Sequence, residues 1–497
     1  MNSLPIFDIA IIIVYLLAMV GVGFYFSKRN KNSVQFTSAS GKIPGWAIGL
    51  SIYATFLSSN TFLGVPGKAF GGNWNAFVFS ISMPLAAWVA SKYFVPFYRS
   101  TGEISAYTHL EKRFGTWART YAVICFLLTQ FARMGTIFFG IALSLQALTG
   151  FSMASIMIVM GICIIIYTVL GGMEAVIWTE VAQGIIKTLG ALLILFLVIK
   201  EIPGGFSKVI EIATADDKLS LGSYSPNFIK STFWVVLLYG FFINLNNFGM
   251  DQNYIQRYHT AASSKQASKS VWLCVAMYVP ASLLFFIIGT SLYAYYNVHP
   301  EWIDPATLKA SDQVLPHFMV TKIPTGLVGL IVSALLSAAM STISSNMNAS
   351  ATVFTMDIYK KYIKPGINDK QQLFVLHIAT VIFGLIGLGT GLAMIGAKSL
   401  LDIWWELSGI FAGGMLGLFL LGLISRQTKN TEALLATIIG VIVILWMTFS
   451  DRLNGEYAFL RNPMHKNMII VVGTLTIFLA GVILTKLKTK ATVPARG

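Results

Sequence analysis

Uninterrupted apolar runs of about twenty residues recur from one end of this 497-residue chain to the other, and no other feature limits its fold so severely. Each run can cross a bilayer as an α-helix. The runs are continuous and lack the two-residue alternation of outer-membrane barrel strands. Only 11% of the residues are charged, against about 25% in a soluble domain. That excludes a soluble globular enzyme, a disordered chain, a collagen and a coiled coil. The reading is an all-α polytopic membrane protein, built as one membrane domain.

Thirteen spans are expected, near 7–27, 45–70, 74–98, 120–148, 151–172, 175–200, 231–256, 271–296, 323–357, 372–396, 400–424, 432–450 and 467–485, numbered here 0 to 12. The net charge of +15 does not point to nucleic acid, because nearly all Lys and Arg sit in short loops or at the tail. With the N-terminus outside, 21 basic residues fall on inside segments and 11 on outside segments. The positive-inside bias therefore predicts N-terminus outside and C-terminus cytoplasmic, in the cell inner or plasma membrane. The remaining three, Lys92, Arg133 and Lys187, lie within spans. Cys125, Cys163 and Cys274 form no C-x-x-C pair and read as buried free thiols. The first apolar run has no basic region before it and no cleavage site, so no signal peptide is expected. The longest loops, 201–230 and 297–322, fall outside, and the second, rich in proline, reads either as a cover over a vestibule or as a plain connector.

Two spans are badly written as simple helices. Span 1 carries Ser58-Ser59-Asn60-Thr61 at its middle. Span 6 crowds Asn244, Asn246, Asn247, Gly249 and Asp251 into its centre. A helix can unwind in a membrane only where it lines a cavity, and the freed carbonyls can then bind a cation. The alternative is helix packing by small residues. Two such spans, five apart, suggest inverted repeats, spans 1–5 and 6–10, with corresponding broken first helices. Span 8 adds a third cluster. Ser341, Ser344 and Ser345 share a helix face and Thr342 points to the next one. These hydroxyls offer neutral oxygen ligands to a hard cation, or simply bond back to their own helix.

Charge at membrane depth is the sharpest signal. Arg133 lies half-way along span 3, where an arginine costs roughly 2.5–3.5 kcal/mol on insertion scales. It reads as a clamp for a substrate carboxylate, or as a structural partner of Asp251 or Glu406. Glu180, a few residues into span 5, is either a cation ligand or an interfacial acid. The six His show no ligand spacing, and no Walker loop, Rossmann fingerprint or H-E-x-x-H helix occurs, which argues against an ATP-driven pump. A channel would need continuous polar stripes, and a membrane enzyme a nucleophile–base pair or metal cluster at depth. Neither pattern is seen.

The segment Gly171-Gly172-Met173-Glu174-Ala175-Val176-Ile177-Trp178-Thr179-Glu180 resembles the G-G-x-x-A-V-x-W-T-D signature of the sodium:solute symporter family. Asn348 to Tyr359 resembles the end of that family's eighth helix. The resemblance covers spans 1 to 10. It implies the leucine-transporter-like fold, with a 5+5 inverted repeat. On that basis 7–27 is an extra N-terminal helix, 45–200 the first repeat, 231–424 the second and 432–485 two C-terminal helices. It also implies a main sodium site from the carbonyls of Ala54, Leu57 and Ala338 with the hydroxyls of Ser341 and Thr342. Some members hold a second sodium with span-8 hydroxyls and a span-5 Asp. Here Ser341, Ser344 and Ser345 match, and the acid is Glu180.

For the solute, sugar-transporting members have a Lys in span 7 and an acid in span 2, where this chain has Ala276 and Ser80. Arg133 falls where bacterial sialic acid transporters have a carboxylate-binding Arg, and Ser58 and Thr61 match their hydroxyl positions. Ser80 stands where they have Gln. Asn244 and Asn247 are added here as hydrogen-bonding candidates. The expectation is a sodium-coupled importer of a small carboxylate-bearing solute, best read as N-acetylneuraminate, with another organic anion, sugar or amino acid as the alternative. Its partners are the solute, sodium ions and the lipid bilayer. No nucleic acid or obligatory protein partner is indicated.

Overall fold

The computed structural model describes residues 5–302, 311–324, 326–395, 400–450, 453 and 455–491; of 147, 400–407, 455–456 and 489–491 only the backbone is described. The described chain is helical, with one isolated bridge, Ile43 to Ala261.

Each expected span has its helix. Ten helices are long and apolar enough to cross a membrane, and one bent pair, Gly45–Phe56 with Asn60–Gly71, makes another crossing. Spans 4 and 5 share the 48-residue helix Met153–Lys200, which breaks at Gly172 with φ 56° and ψ −157°. That conformation suits glycine alone. A Cβ there would also sit 2.9 Å from the Asn30 side chain. Span 10 is Leu400–Ile424.

The break in span 1 falls where the polar run predicts it. Span 1a, Gly45–Phe56, ends at Leu57 with φ −84° and ψ 77°. The chain resumes as a π turn over Asn60–Gly64 and then as span 1b, Val65–Gly71. The two parts are bent by 56°. In span 6 the break sits later than the asparagine-rich centre. Span 6a, Phe233–Met250, stays helical through Asn244, Asn246 and Asn247. Asp251 then leaves the helix, and its side chain accepts from Asn253 N to cap span 6b, Gln252–Thr260. The capping carboxylate, and not the asparagines, decides where the helix restarts.

Span 8 is the enclosed centre of the bundle, with 89% of its apolar window buried, whereas span 0 is peripheral at 22%. Span 5 packs along span 8, span 0 and span 1a. In the loop before span 8, Ser311–Gln313 and helix Val314–Lys322 lie over span 1b. A Cβ on Gly67 would meet Asp312 at 2.6 Å. This part of the proline-rich loop is a packed cover; 303–310 fall outside the described residues.

Candidate functional site

Breaking span 1 removes helical partners from the carbonyls of Ala54, Thr55 and Leu57, which are buried and must be satisfied from elsewhere. Span 8 supplies part of this. Thr342 Oγ1 donates to Thr55 O at 3.1 Å, and Ser341 Oγ donates to Ala54 O at 3.2 Å. Span 5 supplies the rest through a residue assigned no role above. Lys187 Nζ donates to Ala54 O at 2.5 Å, to Leu57 O at 2.7 Å and to Ser341 Oγ at 3.0 Å. An ammonium has three donors, and all three are engaged. Lys187 is fully buried.

This corrects the expected ligand set. Ala54, Leu57 and Ser341 face the ammonium of Lys187. Thr342 bonds across to span 1a and back to Ala338 O at 3.5 Å, and the Ala338 carbonyl also accepts from Ser341 at 3.4 Å. A sodium ion among the oxygens of Ala54, Leu57 and Ser341 would have to stand on the ammonium. As arranged, this cradle does not fit sodium.

The second expected position is also filled by a side-chain cation. Glu180 receives Arg257 Nη2 at 2.6 Å on one oxygen and 2.8 Å on the other. Ser51 and Ser345 donate to the same carboxylate, and Thr55 does so at 3.1 Å. Arg257 further donates to Ser51 at 2.8 Å, Ser345 at 2.6 Å and Asn253 O at 2.5 Å. Ser344 takes no part in this network and bonds to Ser341 O on its own helix at 3.2 Å. Glu180 is therefore neither an interfacial acid nor an open ligand, and it does not fit a second sodium.

Beyond the break lies a cavity with an empty volume of about 670 Å³, open solvent included. Five of the six expected solute residues line it: Ser58, Thr61, Ser80, Arg133 and Asn247. Phe56 and Tyr278 contribute aromatic surface and Asn60 an amide. Asn244 is not among the lining residues; its amide donates to Ser82 Oγ at 3.4 Å across spans 6a and 2. Ser80 is paired with Ser282 at 2.7 Å. Arg133 Nη1 lies 3.4 Å from Asp251 Oδ2, and Nη2 donates to Tyr254 Oη at 3.3 Å. The arginine thus faces the cavity and also holds the start of span 6b through Asp251, the structural partner expected for it. The Glu406 side chain, the other candidate partner, lies outside the described residues.

Two positions at the centre of these networks, Lys187 and Arg257, escaped sequence reasoning. Lys187 carried a usable signal, because a cation at mid-span is a functional hypothesis by default. Arg257 read as a loop residue, since only the break at Asp251 turns span 6b into the bundle.

The sodium:solute symporter family model matches residues 36–440. The sodium/sialic acid symporter NanT of Aliivibrio fischeri is 33% identical over 93% of this chain and 91% of its own length. The sodium/sialic acid symporter SiaT of Proteus mirabilis is 31% identical over 94% of each. A solved Na⁺-coupled sialic acid symporter, described as substrate-bound, outward-open and revealing a novel Na⁺ site, superposes with a TM-score of 0.90 at 28% identity, covering 97% of this chain and 98% of that one. A nucleobase-cation-symport-1 family transporter at 13% identity shares the fold, with a TM-score of 0.57 over 92% of this chain and 95% of its own. The architecture is the leucine-transporter-like one.

Proposed function

The chain belongs to the sodium:solute symporter family, and on that footing we propose that it is a secondary active importer of a small carboxylate-bearing solute, a sialic acid such as N-acetylneuraminate, working by alternating access. The observation that carries this reading is Arg133. A buried guanidinium opens onto a cavity whose other polar groups, Ser58, Thr61, Ser80 and Asn247, are neutral. That is the complement of a molecule with one carboxylate and several hydroxyls or amides. Guanidinium binds carboxylate in two parallel hydrogen bonds. Phe56 and Tyr278 give the solute's less polar face a surface.

Alternating access follows from the two broken helices. Spans 1 and 6 each carry non-helical backbone, at Leu57 and Asp251, about which their halves could turn, and the repeats they open are 45–200 and 231–424. Because Arg133 also contacts Asp251 and Tyr254, a carboxylate drawn to it acts directly on the start of span 6b. The solute is moved, not altered; the relatives named above are symporters. The same relatives are sodium-coupled by name, which supports sodium as the coupling ion of the family to which this chain belongs, and the 21-to-11 distribution of basic residues supports a C-terminus in the cytoplasm.

A thermal-shift panel on the purified chain tests the reading. N-acetylneuraminate stabilises it, and the neutral sugar N-acetylmannosamine does not. Equal stabilisation by the neutral sugar removes the carboxylate from the argument. Equal stabilisation by lactate reassigns the solute to a simple monocarboxylate.

A further inference from the structure

We propose that Lys187 has taken the place of the sodium ion at the junction of spans 1 and 8, and that the proton it carries is the ion this chain couples to solute import. The inference rests on the import reading above for its coupling half, and on the geometry alone for its site half.

The site is built. Ala54 O, Leu57 O and Ser341 Oγ, on two elements, converge within 3.0 Å of one buried nitrogen on a third. Small residues bring that third element close. Gly184 sits one turn before Lys187 with its Cβ position 3.5 Å from Ala54 Cβ, and Gly190 lies one turn after it against Ala334. The ammonium does what a bound cation does for a broken helix: it gathers carbonyls that no longer have helical partners.

Of the surrounding ionisable groups, the carboxylate and the tyrosines are already engaged. On the same helix, Glu180 is closed by Arg257 of span 6b. Tyr53 of span 1a pairs with Thr188 at 2.5 Å, Tyr167 of span 4 donates to Met340 O at 3.0 Å, and Tyr15 of span 0 receives Ser337 at 2.9 Å. Cys274 of span 7 is a free, buried thiol. Within hydrogen-bond range, then, Lys187 has neutral oxygens.

A symporter must release its ion on the inner side. A tethered amine cannot leave, but its proton can. When an N–H bond at Nζ breaks, the proton passes to water on the cytoplasmic side and the electron pair stays on nitrogen. The amine then offers two donors and a lone pair to three acceptors. The positive charge that strengthened its bonds to the Ala54 and Leu57 carbonyls is gone, and the cradle loosens. Re-protonation from the outside restores it for the next solute.

The first arm of the test needs no solute. In thermal unfolding of the purified full-length chain, sodium and potassium chloride give the same melting temperature, because the cradle is already filled. Lys187→Ala opens the cradle and gains a sodium-specific upward shift and binding of radioactive sodium. Lys187→Met keeps the volume occupied and gains neither. A sodium-specific shift or stoichiometric sodium binding in the wild-type chain overturns the site half. The second arm uses proteoliposomes loaded without sodium. An inward proton gradient drives N-acetylneuraminate accumulation, up to about tenfold per pH unit for one proton per solute. A protonophore abolishes it, and so does Lys187→Met. Accumulation driven by a sodium gradient in the presence of protonophore overturns the coupling half. If N-acetylneuraminate neither binds nor enters while the first arm holds, the solute assignment alone has failed.

Discussion

Arg257 closes on Glu180 across the middle of the bundle, guanidinium Nη2 2.6 Å from carboxylate Oε2, with the side chains 1% and 0% exposed. Four residues, Ser51 and Thr55 of span 1a, Asn253 of span 6b and Ser345 of span 8, hydrogen-bond to the pair, so its desolvation is offset by these bonds. Removing one member leaves the other buried and uncompensated, which costs about 3–5 kcal/mol. Arg257→Leu is expected to lower the thermal unfolding temperature of the purified chain sharply. Glu180→Gln with Arg257→Met, which removes both charges, recovers most of the loss. Equal damage from the single and double changes would show that the charges themselves are not coupled.

Arg133 is shared between the cavity and Asp251, 3.4 Å away. Arg133→Ala should abolish binding of a carboxylate solute. Arg133→Lys, which cannot form the two parallel bonds, should weaken it by about 1.5–3 kcal/mol. The more telling variant is Asp251→Asn. It keeps an acceptor to cap span 6b and removes the negative charge that competes with the solute for the guanidinium. Solute affinity measured by calorimetry should rise, by about 1 kcal/mol or roughly fivefold. A fall would mean that the carboxylate orients Arg133 and does not compete.

The fold was readable because apolar runs and turn residues alternate with few ambiguities, and the span 1 break because Ser58 to Thr61 cannot sit passively in hydrocarbon. The site was only half readable. Arg133 and Asn247 stand out because each is polar at a depth where polarity needs a reason, and Ser58 and Thr61 by resemblance to the family's hydroxyl positions; all four line the cavity. Asn244 passed the same filter yet bonds sideways to Ser82; sequence cannot say which face of a helix looks at a cavity one turn away. Lys187 shows a different limit. Gln183, Gly184, Gly190 and Ala191, its helical neighbours at three and four residues, include no acid. What satisfies Lys187 is backbone carbonyl, and backbone acceptors leave no trace in residue identity. Arg257 is invisible for a third reason: its depth is created by the restart of the helix at Asp251.

Glu111 belongs to a cluster at one end of the bundle, with Arg119 at 2.7 Å and Lys361 also bonded to its carboxylate, and Arg119 reaching Asp357 at 2.5 Å. Burial pushes the Glu111 carboxyl up, but the hydrogen bonds from Lys361 and Arg119 outweigh it and hold it below its ordinary value. A carboxylate lowered in the folded state stabilises above its unfolded pKa and loses that contribution as pH falls through the folded one. Melting temperature should therefore decline on acidification below about pH 4.3, the ordinary Glu value. Glu111→Gln should flatten that acid limb and lower the plateau at neutral pH. An unchanged pH profile would remove Glu111 as its source.

Gly190 sets how closely span 5 can lie on span 8. A Cβ added there would come 2.4 Å from Ala334 Cβ, closer than two carbons can approach. Gly190→Ala must push the helices apart, at about 1–3 kcal/mol for an overpacked contact. The same displacement would lengthen the reach from Lys187 to Ala54, Leu57 and Ser341, one turn away. Two readouts are therefore expected to move together, a lower unfolding temperature and weaker solute binding. Ala334→Gly, which empties the space on the facing helix, should rescue both in the double variant. Rescue of stability without rescue of binding would separate the packing of span 5 from the positioning of its lysine.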